Sequence, residues 1–326
     1  MSYTHRARLY SLLLSGFLLT GCLSPNTADI PSEPSPPVDA DLSAVPVLPE
    51  EELSSPVVIR RDGYTLTEIP ITEQYPKDVF PAVTAWRVIP GTEYLISIHN
   101  AVYPNSLAIL EMYRYGIVSR EGETVLPCSF YYPLMLTNRG DFILIDDVYG
   151  GVYSPSMERQ TEKILTYGYE VYGGEYFLLQ GADNQYPYFC RYTEPLSDKS
   201  YRCVVYQDGV FYAYHYDSVR YIPLRDTLAM DGSVLEADTV VTEQEMLAAS
   251  DIRCTPMLDR TALEIVRTDY STFTLRDQNG NDILTETFEN GRLDISPVTE
   301  NGEAIVRMGD TSYLLRIESF SGTYLP

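Results

Sequence analysis

The chain has 326 residues, 44% of them apolar, enough for one large domain or two small ones. Its formal charge is -23, a balance that repels phosphate backbones and anionic headgroups and argues against nucleic-acid binding. The same surplus of acid keeps a surface soluble and attracts cations or basic partners. Aromatics are mostly tyrosine, 28 Tyr against 10 Phe and a single tryptophan, Trp86, which suits half-buried strands whose hydroxyls reach water.

Residues 1–8, "MSYTHRAR", are basic, and "LYSLLLSGFLL" at 9–19 is an apolar run too short to span a bilayer. "LTGC" follows at 19–22. Leucine three places before the cut, small residues at it and cysteine just after it resemble the lipobox of bacterial lipoproteins. That resemblance implies removal of residues 1–21 and acylation of Cys22 as a membrane anchor on the extracytoplasmic side. The alternative is an ordinary secretory signal that contains a cysteine. Leu23 follows Cys22, so an Asp at that place is absent, and the type of envelope stays open. Residues 23–57 hold eight prolines, seven acids and no Lys or Arg. Such a segment buries too little apolar surface to offset its ordering entropy, so 22–57 is expected to be a disordered tether reaching at most roughly 100 Å.

From residue 58 to 326 short apolar runs alternate with turn residues, and the expected fold is all-β. "YSTFTLRD", "NDILTETF", "GRLDISPV", "EAIVRMG" and "TSYLLRIES" read as five successive strands. Asn279-Gly280, Asn290-Gly291, Asn301-Gly302 and Gly309-Asp310 separate them, and Asn-Gly suits hairpin turns with positive φ at both central residues. The five strands are expected to form one antiparallel meander. Residues 114–147 echo 271–307 at a shift of 158, Gly122 falling on Gly280, Val125-Leu126 on Ile283-Leu284 and Phe130 on Phe288. That shift is near four units of about 40 residues, a propeller-blade period, although a weaker echo around Gly232 falls off it. A β-propeller-like repeat is therefore expected, with a β-sandwich or two smaller β-domains as alternatives.

Within "YGIVSREGETVLPCSFYYP", Tyr115-Gly116, Ile117-Val118, Gly122, Val125-Leu126-Pro127 and Tyr131-Tyr132 stand in the order of the WG-type (KWG) repeats of bacterial surface proteins. Tyr115 replaces the usual Trp. The resemblance covers one clear and one degenerate unit, and it implies β-repeats and an interaction role with no catalytic residues to carry over.

The middle of the chain is Tyr-rich. In "VFYAYHYDSV" alternation puts Tyr212, Tyr214 and Tyr216 on one sheet face, either as cross-strand packing or as a face for sugars or peptides. "TEQEMLAAS" is expected to be a short helix, Thr242 and Glu245 forming a capping box. "YPYFCRYTEPLSDKSYRCVVY" reads as two strands joined by a Pro-Ser-Asp loop. A hairpin closing there brings Cys190 opposite Cys203, and an exported protein permits a disulfide between them, the alternative being buried thiols. Cys128 and Cys254 have no local partner.

Chemical motifs are sparse. His99 reads as a strand end and His215 as a packed or surface residue. No HExxH, GxSxG or SxxK pattern occurs, so no catalytic residue, metal or cofactor is assigned. "DQNGND" at 277–282 breaks the order of a calcium loop and reads as a turn, and Asp146-Asp147 reads as a solvated turn. These features together predict a non-enzymatic binding or scaffold domain on a lipid anchor, with a protein or glycan partner at the envelope and no nucleic acid. The rival is an envelope hydrolase acting on glycan or peptide, which a pair of carboxylates about 5–9.5 Å apart in a cleft would favour.

Overall fold

The computed structural model describes residues 55–72, 82–105, 108–146, 148–183, 187–288 and 293–325. The chain divides after Leu53 into two units, and every described residue belongs to the second. The described residues form six antiparallel sheets. Sheet I holds β1 (Val58–Arg61) and β2 (Tyr64–Glu68) beside β21 (Leu293–Ile295), β22 (Glu303–Met308) and β23 (Thr311–Ile317), in the order β1-β2-β23-β22-β21. Sheet II is β3 (Thr84–Val88), β4 (Tyr94–Asn105), β5 (Ala108–Ser119) and β6 (Thr124–Phe130). Sheet III is β7 (Met135–Leu136), β8 (Phe142–Leu144) and β9 (Gly151–Tyr153). Sheet IV is β10 (Leu165–Tyr172), β11 (Tyr176–Gly181), β12 (Tyr188–Arg191) and β13 (Glu194–Ser200). Sheet V is β14 (Cys203–Gln207), β15 (Val210–Tyr216), β16 (Pro223–Leu228) and β17 (Val234–Val240). Sheet VI is β18 (Glu264–Arg267), β19 (Thr272–Arg276) and β20 (Asp282–Thr287).

Apolar residues on alternate positions bury one sheet against the next. Ile305 and Leu314 of sheet I pack on Ala85, Leu95 and Val118 of sheet II. Ile96 and Ile117 of sheet II meet Phe142 and Leu144 of sheet III, whose other face, with Ile143 and Val152, meets Phe177 and Leu179 of sheet IV. Leu178 and Phe189 then pack on Phe211 and Leu228 of sheet V, and Phe273 and Leu275 of sheet VI pack on Leu66 and Val306 of sheet I. The ring is closed by the chain's own ends, because β2 pairs with β23 from Tyr64↔Ile317 to Glu68↔Tyr313. Successive meanders packed face to face, with the last completed by the first strands, make a β-propeller of six sheets.

One turn recurs. In 119–123, 137–141, 154–158, 229–233, 277–281 and 299–303 the first N–H donates to the fifth carbonyl and the fourth N–H to the first carbonyl. The fourth residue is at positive φ: Gly122, Gly140, Met157, Gly232, Gly280 and Gly302. Neither Asn279 nor Asn301 has positive φ, so at these two turns the expectation of two left-handed residues is corrected to one; Asn290-Gly291 lies outside the described residues. The Asp277 carboxylate accepts from the N–H groups of Asn279 and Asn281, which accounts for "DQNGND" as a turn.

The meander expected at the carboxy terminus is split: β19 and β20 end sheet VI, and β21 to β23 belong to sheet I. The 158-residue echo has the same cause. Residues 114–147 supply the last two strands of sheet II and the first two of sheet III, and 271–307 do the same for sheets VI and I. Gly122, Gly232 and Gly280 all sit between the last two strands of their sheets, in sheets II, V and VI. The Gly232 echo therefore lies three sheets on from Gly122. The step to Gly280 is long because α1 (Glu243–Ser250) and the chain after it are inserted between sheets V and VI. The capping box on α1 is present, Thr242 Oγ1 accepting from Glu245 N and Thr242 N donating to the Glu245 carboxylate.

Strand parity explains the chain after α1. Four antiparallel passes return the chain to the end where it entered; in sheet III the antiparallel bridge Tyr153↔Arg159 after β9 supplies the fourth, whereas the three strands of sheet VI lack one. Residues 252–263 make the missing crossing. They pass Glu170 of β10, form a 3-10 turn at Met257–Asp259, meet Arg87 of β3 and end with Ala262 N donating to Val298 O. β10 and β3 are the first strands of their sheets and Val298 follows β21, the first strand of sheet I before closure. The segment thus fills the space that the inner strands enclose.

Candidate functional site

The end of the ring at which the chain enters each inner strand, here the front, carries a surface rich in tyrosine and arginine. Tyr131 and Tyr132, between β6 and β7, are 55% and 57% exposed, and Tyr113 of β5 is 49% exposed. The Arg114 guanidinium lies over the Tyr131 ring at 3.4 Å. On β10, Tyr167 meets Tyr169 edge-on at 6.3 Å, and Arg253 lies 4.3 Å over Tyr169. The Tyr167 hydroxyl is raised chiefly by burial, with Arg253 lowering it and Tyr132 raising it, so both stand near it. Arg202 continues the row over Tyr216 at 5.7 Å. Large flat rings ordered by guanidinium stacking offer contact area at little cost in rotamer entropy.

Behind this surface a hollow of about 230 Å³ is lined by Tyr169, Tyr172, Val204, Tyr206, Arg253 and Cys254, among others. It is smaller than the usual pocket for a drug-sized ligand. Its floor is fastened. Glu170 is buried, accepts from Gly174 N at 2.7 Å and Met257 N at 2.8 Å, and its carbonyl accepts the Cys254 thiol at 3.2 Å. Burial raises the Glu170 carboxyl above its ordinary range although both N–H groups oppose the rise. Arg87 donates to Leu258 O at 2.9 Å, pairs with Asp259 and lies 4.1 Å over Trp86. The inserted segment is thereby pinned to sheets II and IV.

Tyr212, Tyr214 and Tyr216 do share a face, and α1 lies on it. Tyr214 is buried with Cys203, Val205 and Met246, Tyr212 and Tyr216 pack at the edge, and the Tyr216 hydroxyl donates to Glu243 at 3.0 Å. They are packing for the helix. Cys190 and Cys203 are free thiols, a correction to the expected pair. The hairpin between them does not exist, because Glu194–Ser200 is itself a strand and the turn lies at Tyr192, φ 55°. Cys190 is buried between sheets III and IV and Cys203 beneath α1. Burial pushes their thiols up to about 12 and about 11. His99 is buried within β4 rather than at a strand end. Asp146 accepts from Val148 N and Tyr149 N in a turn. Cys22 and Asp147 lie outside the described residues.

His215 lies within 3.5 Å of Asp226 and 3.3 Å of Asp238, with Lys199 bound to both carboxylates. Sequence reading missed this group because its members come from four strands with no shared spacing. The front Tyr131-Tyr132 pair was visible only as the end of a repeat motif.

Fold and surface define a six-sheet β-propeller with a filled axis and an aromatic-arginine front. No protein-family model matches the chain, and no curated protein matches it. Among solved structures it is similar to the WD40 β-propeller domain of Doa1, at 16% identity over 82% of this chain and 90% of that one, TM-score 0.25. It is also similar to BamB from Moraxella catarrhalis, at 12% identity over 83% and 94% of the two chains, TM-score 0.25. The fold assignment rests on strand order and closure.

Proposed function

We propose that the chain is an exported bacterial lipoprotein, held to the membrane through Cys22, whose propeller binds a protein or glycan partner of the envelope at its front. The exposed Tyr113, Tyr131 and Tyr132 beside Arg114 carry this reading, since tyrosine and arginine are enriched where partners bind. The lipobox and the proline-rich acidic tether supply the address.

Photo-crosslinking in cells tests the face. A photoreactive residue at Tyr132 is expected to trap one discrete adduct, and the same residue at Asp208, in the turn at the opposite end, none. Equal labelling from both ends, or no adduct from Tyr132, overturns the assignment. Cys22→Ala is expected to move the protein from the membrane to the soluble fraction, and unchanged fractionation overturns the anchor.

A further inference from the structure

We infer that His215, Asp226 and Asp238 form a divalent transition-metal site, best fitted to zinc, at the seam of sheets IV and V, with Lys199 as the competing cation. The strands bring the groups together without any sequence motif. Asp226 stands opposite Ala213 on β15, and β17 breaks register with β16 beside it. In that irregularity Asp238 adopts φ 53° and donates its N–H to Asp226 Oδ1 at 2.8 Å. Lys199 and Tyr201 arrive from the end of sheet IV, donating to Asp226 Oδ2 at 2.9 Å and 3.1 Å.

Three observations point to an ion. First, His215 Nε2 stands 3.5 Å from Asp226 Oδ1 and 3.3 Å from Asp238 Oδ1. Zinc bonds of 2.0–2.1 Å arranged tetrahedrally set neighbouring ligand atoms about 3.3–3.4 Å apart. Second, Nε2 is buried and has no hydrogen-bond partner, although two carboxylate oxygens are so near. With the ring hydrogen on Nδ1, Nε2 turns a lone pair toward oxygens that carry lone pairs, and a shared cation makes all three contacts attractive. Third, the ligands are already oriented. Asp226 is fully buried and held by three donors, and the Tyr201 ring packs edge-on to His215 at 5.8 Å. Such outer contacts are what fix a metal ligand's direction.

One imidazole and two carboxylates suit zinc or manganese better than soft ions, and the tetrahedral edge favours zinc. Lys199 supplies a single charge to the same two carboxylates. Its side chain is 41% exposed, so it can withdraw into water as the ion enters, and a fourth coordination position then faces solvent. The site is built from sheet V and the end of sheet IV and shares no side chain with Tyr113, Tyr131, Tyr132 or Arg114, so its test is separate from that of those residues.

Calorimetric titration of the chelator-treated full chain with Zn²⁺ tests the inference, with imidazole NMR as a second readout. One equivalent is expected to bind and to shift the His215 Nε2 resonance. His215→Ala and the better-packed His215→Gln are both expected to weaken binding about tenfold or more, with unchanged far-UV circular dichroism. Lys199→Ala is expected to tighten it. No stoichiometric binding, or binding indifferent to both His215 variants, overturns the site. A resonance that responds to pH but not to zinc assigns the space to a proton and overturns it as well.

Discussion

Two buried carboxylates, one at the seam of sheets I and II and one at the seam of IV and V, solve the same problem differently. Glu303 takes Arg120 through both oxygens, at 2.6 Å and 2.8 Å, and Arg316 at 2.9 Å and 3.0 Å. Arg120 is 12% exposed and also donates to Thr92 O, so the first carboxylate is filled on both oxygens by planar cations that strap sheet II to sheet I. Asp226 is held by one flexible ammonium, a phenol and a backbone N–H, with His215 facing it unbonded. A carboxylate filled by guanidinium forks has no coordination left to offer. One held by a half-exposed lysine keeps room for a ligand. Burial alone marks neither as functional; the completeness of the partners does.

The largest expected effect comes from cutting the strap. Glu303→Ala leaves the buried Arg120 with only the exposed Glu93 carboxylate at 3.2 Å and is expected to cost about 3 kcal/mol in chemical denaturation. Asp226→Ala is expected to cost about 1–3 kcal/mol, since Lys199 can turn to water while the Asp238 N–H loses its acceptor. Equal costs, or the reverse order, would break the contrast.

Two turns in equivalent places sharpen it further. At Gly122, φ +88°, an added Cβ meets Pro70 O at 2.2 Å, in the link between sheets I and II, whereas at Gly280, φ +84°, it meets nothing within 4 Å. Gly280→Ala is expected to cost only the ~1–2 kcal/mol of a left-handed alanine. Gly122→Ala must move backbone as well and is expected to lower the melting temperature further.

Acid should act on both seams in one direction. Burial opposes the charge of Glu303 and of Asp226, yet their partners hold both carboxyls below their ordinary ranges. Folded values below the unfolded ones mean that this stability is present above the unfolded values, near pH 4, and is lost as pH falls through the folded ones. Melts below pH 4 are expected to show a smaller acid loss in Glu303→Gln than in the parent. A parallel loss in both would remove Glu303 from the account. The smallest effect concerns the thiols: Cys190 and Cys203 are expected to resist iodoacetamide in the native protein and to alkylate without reductant once unfolded. A linked pair in non-reducing mass mapping would contradict the structure.

How much of this was legible in the sequence follows the range of the forces involved. The strands from β19 to β23, the glycines of their turns and the Thr242–Glu245 box are set within a few residues, by alternation, positive φ and a local hydrogen bond, and they could be read directly. The 158-residue echo was legible too, because equivalent turns need the same glycine. Where one sheet ends and the next begins was not, since a turn inside a sheet and a link between sheets use the same residues. Glu194–Ser200 shows the cost: Pro, Ser and Asp read as loop, but an outer strand half open to solvent accepts them.

The sequence by itself determined an all-β chain of repeating hairpins, a capped helix and an acidic surface, because each of these depends on neighbours along the chain. Tertiary structure alone decided that β2 closes the ring on β23, that residues 252–263 fill its axis, that α1 covers the Tyr ladder and that Lys199, His215, Asp226 and Asp238 meet. These contacts join residues far apart in sequence, and only the packing of sheet on sheet selects them.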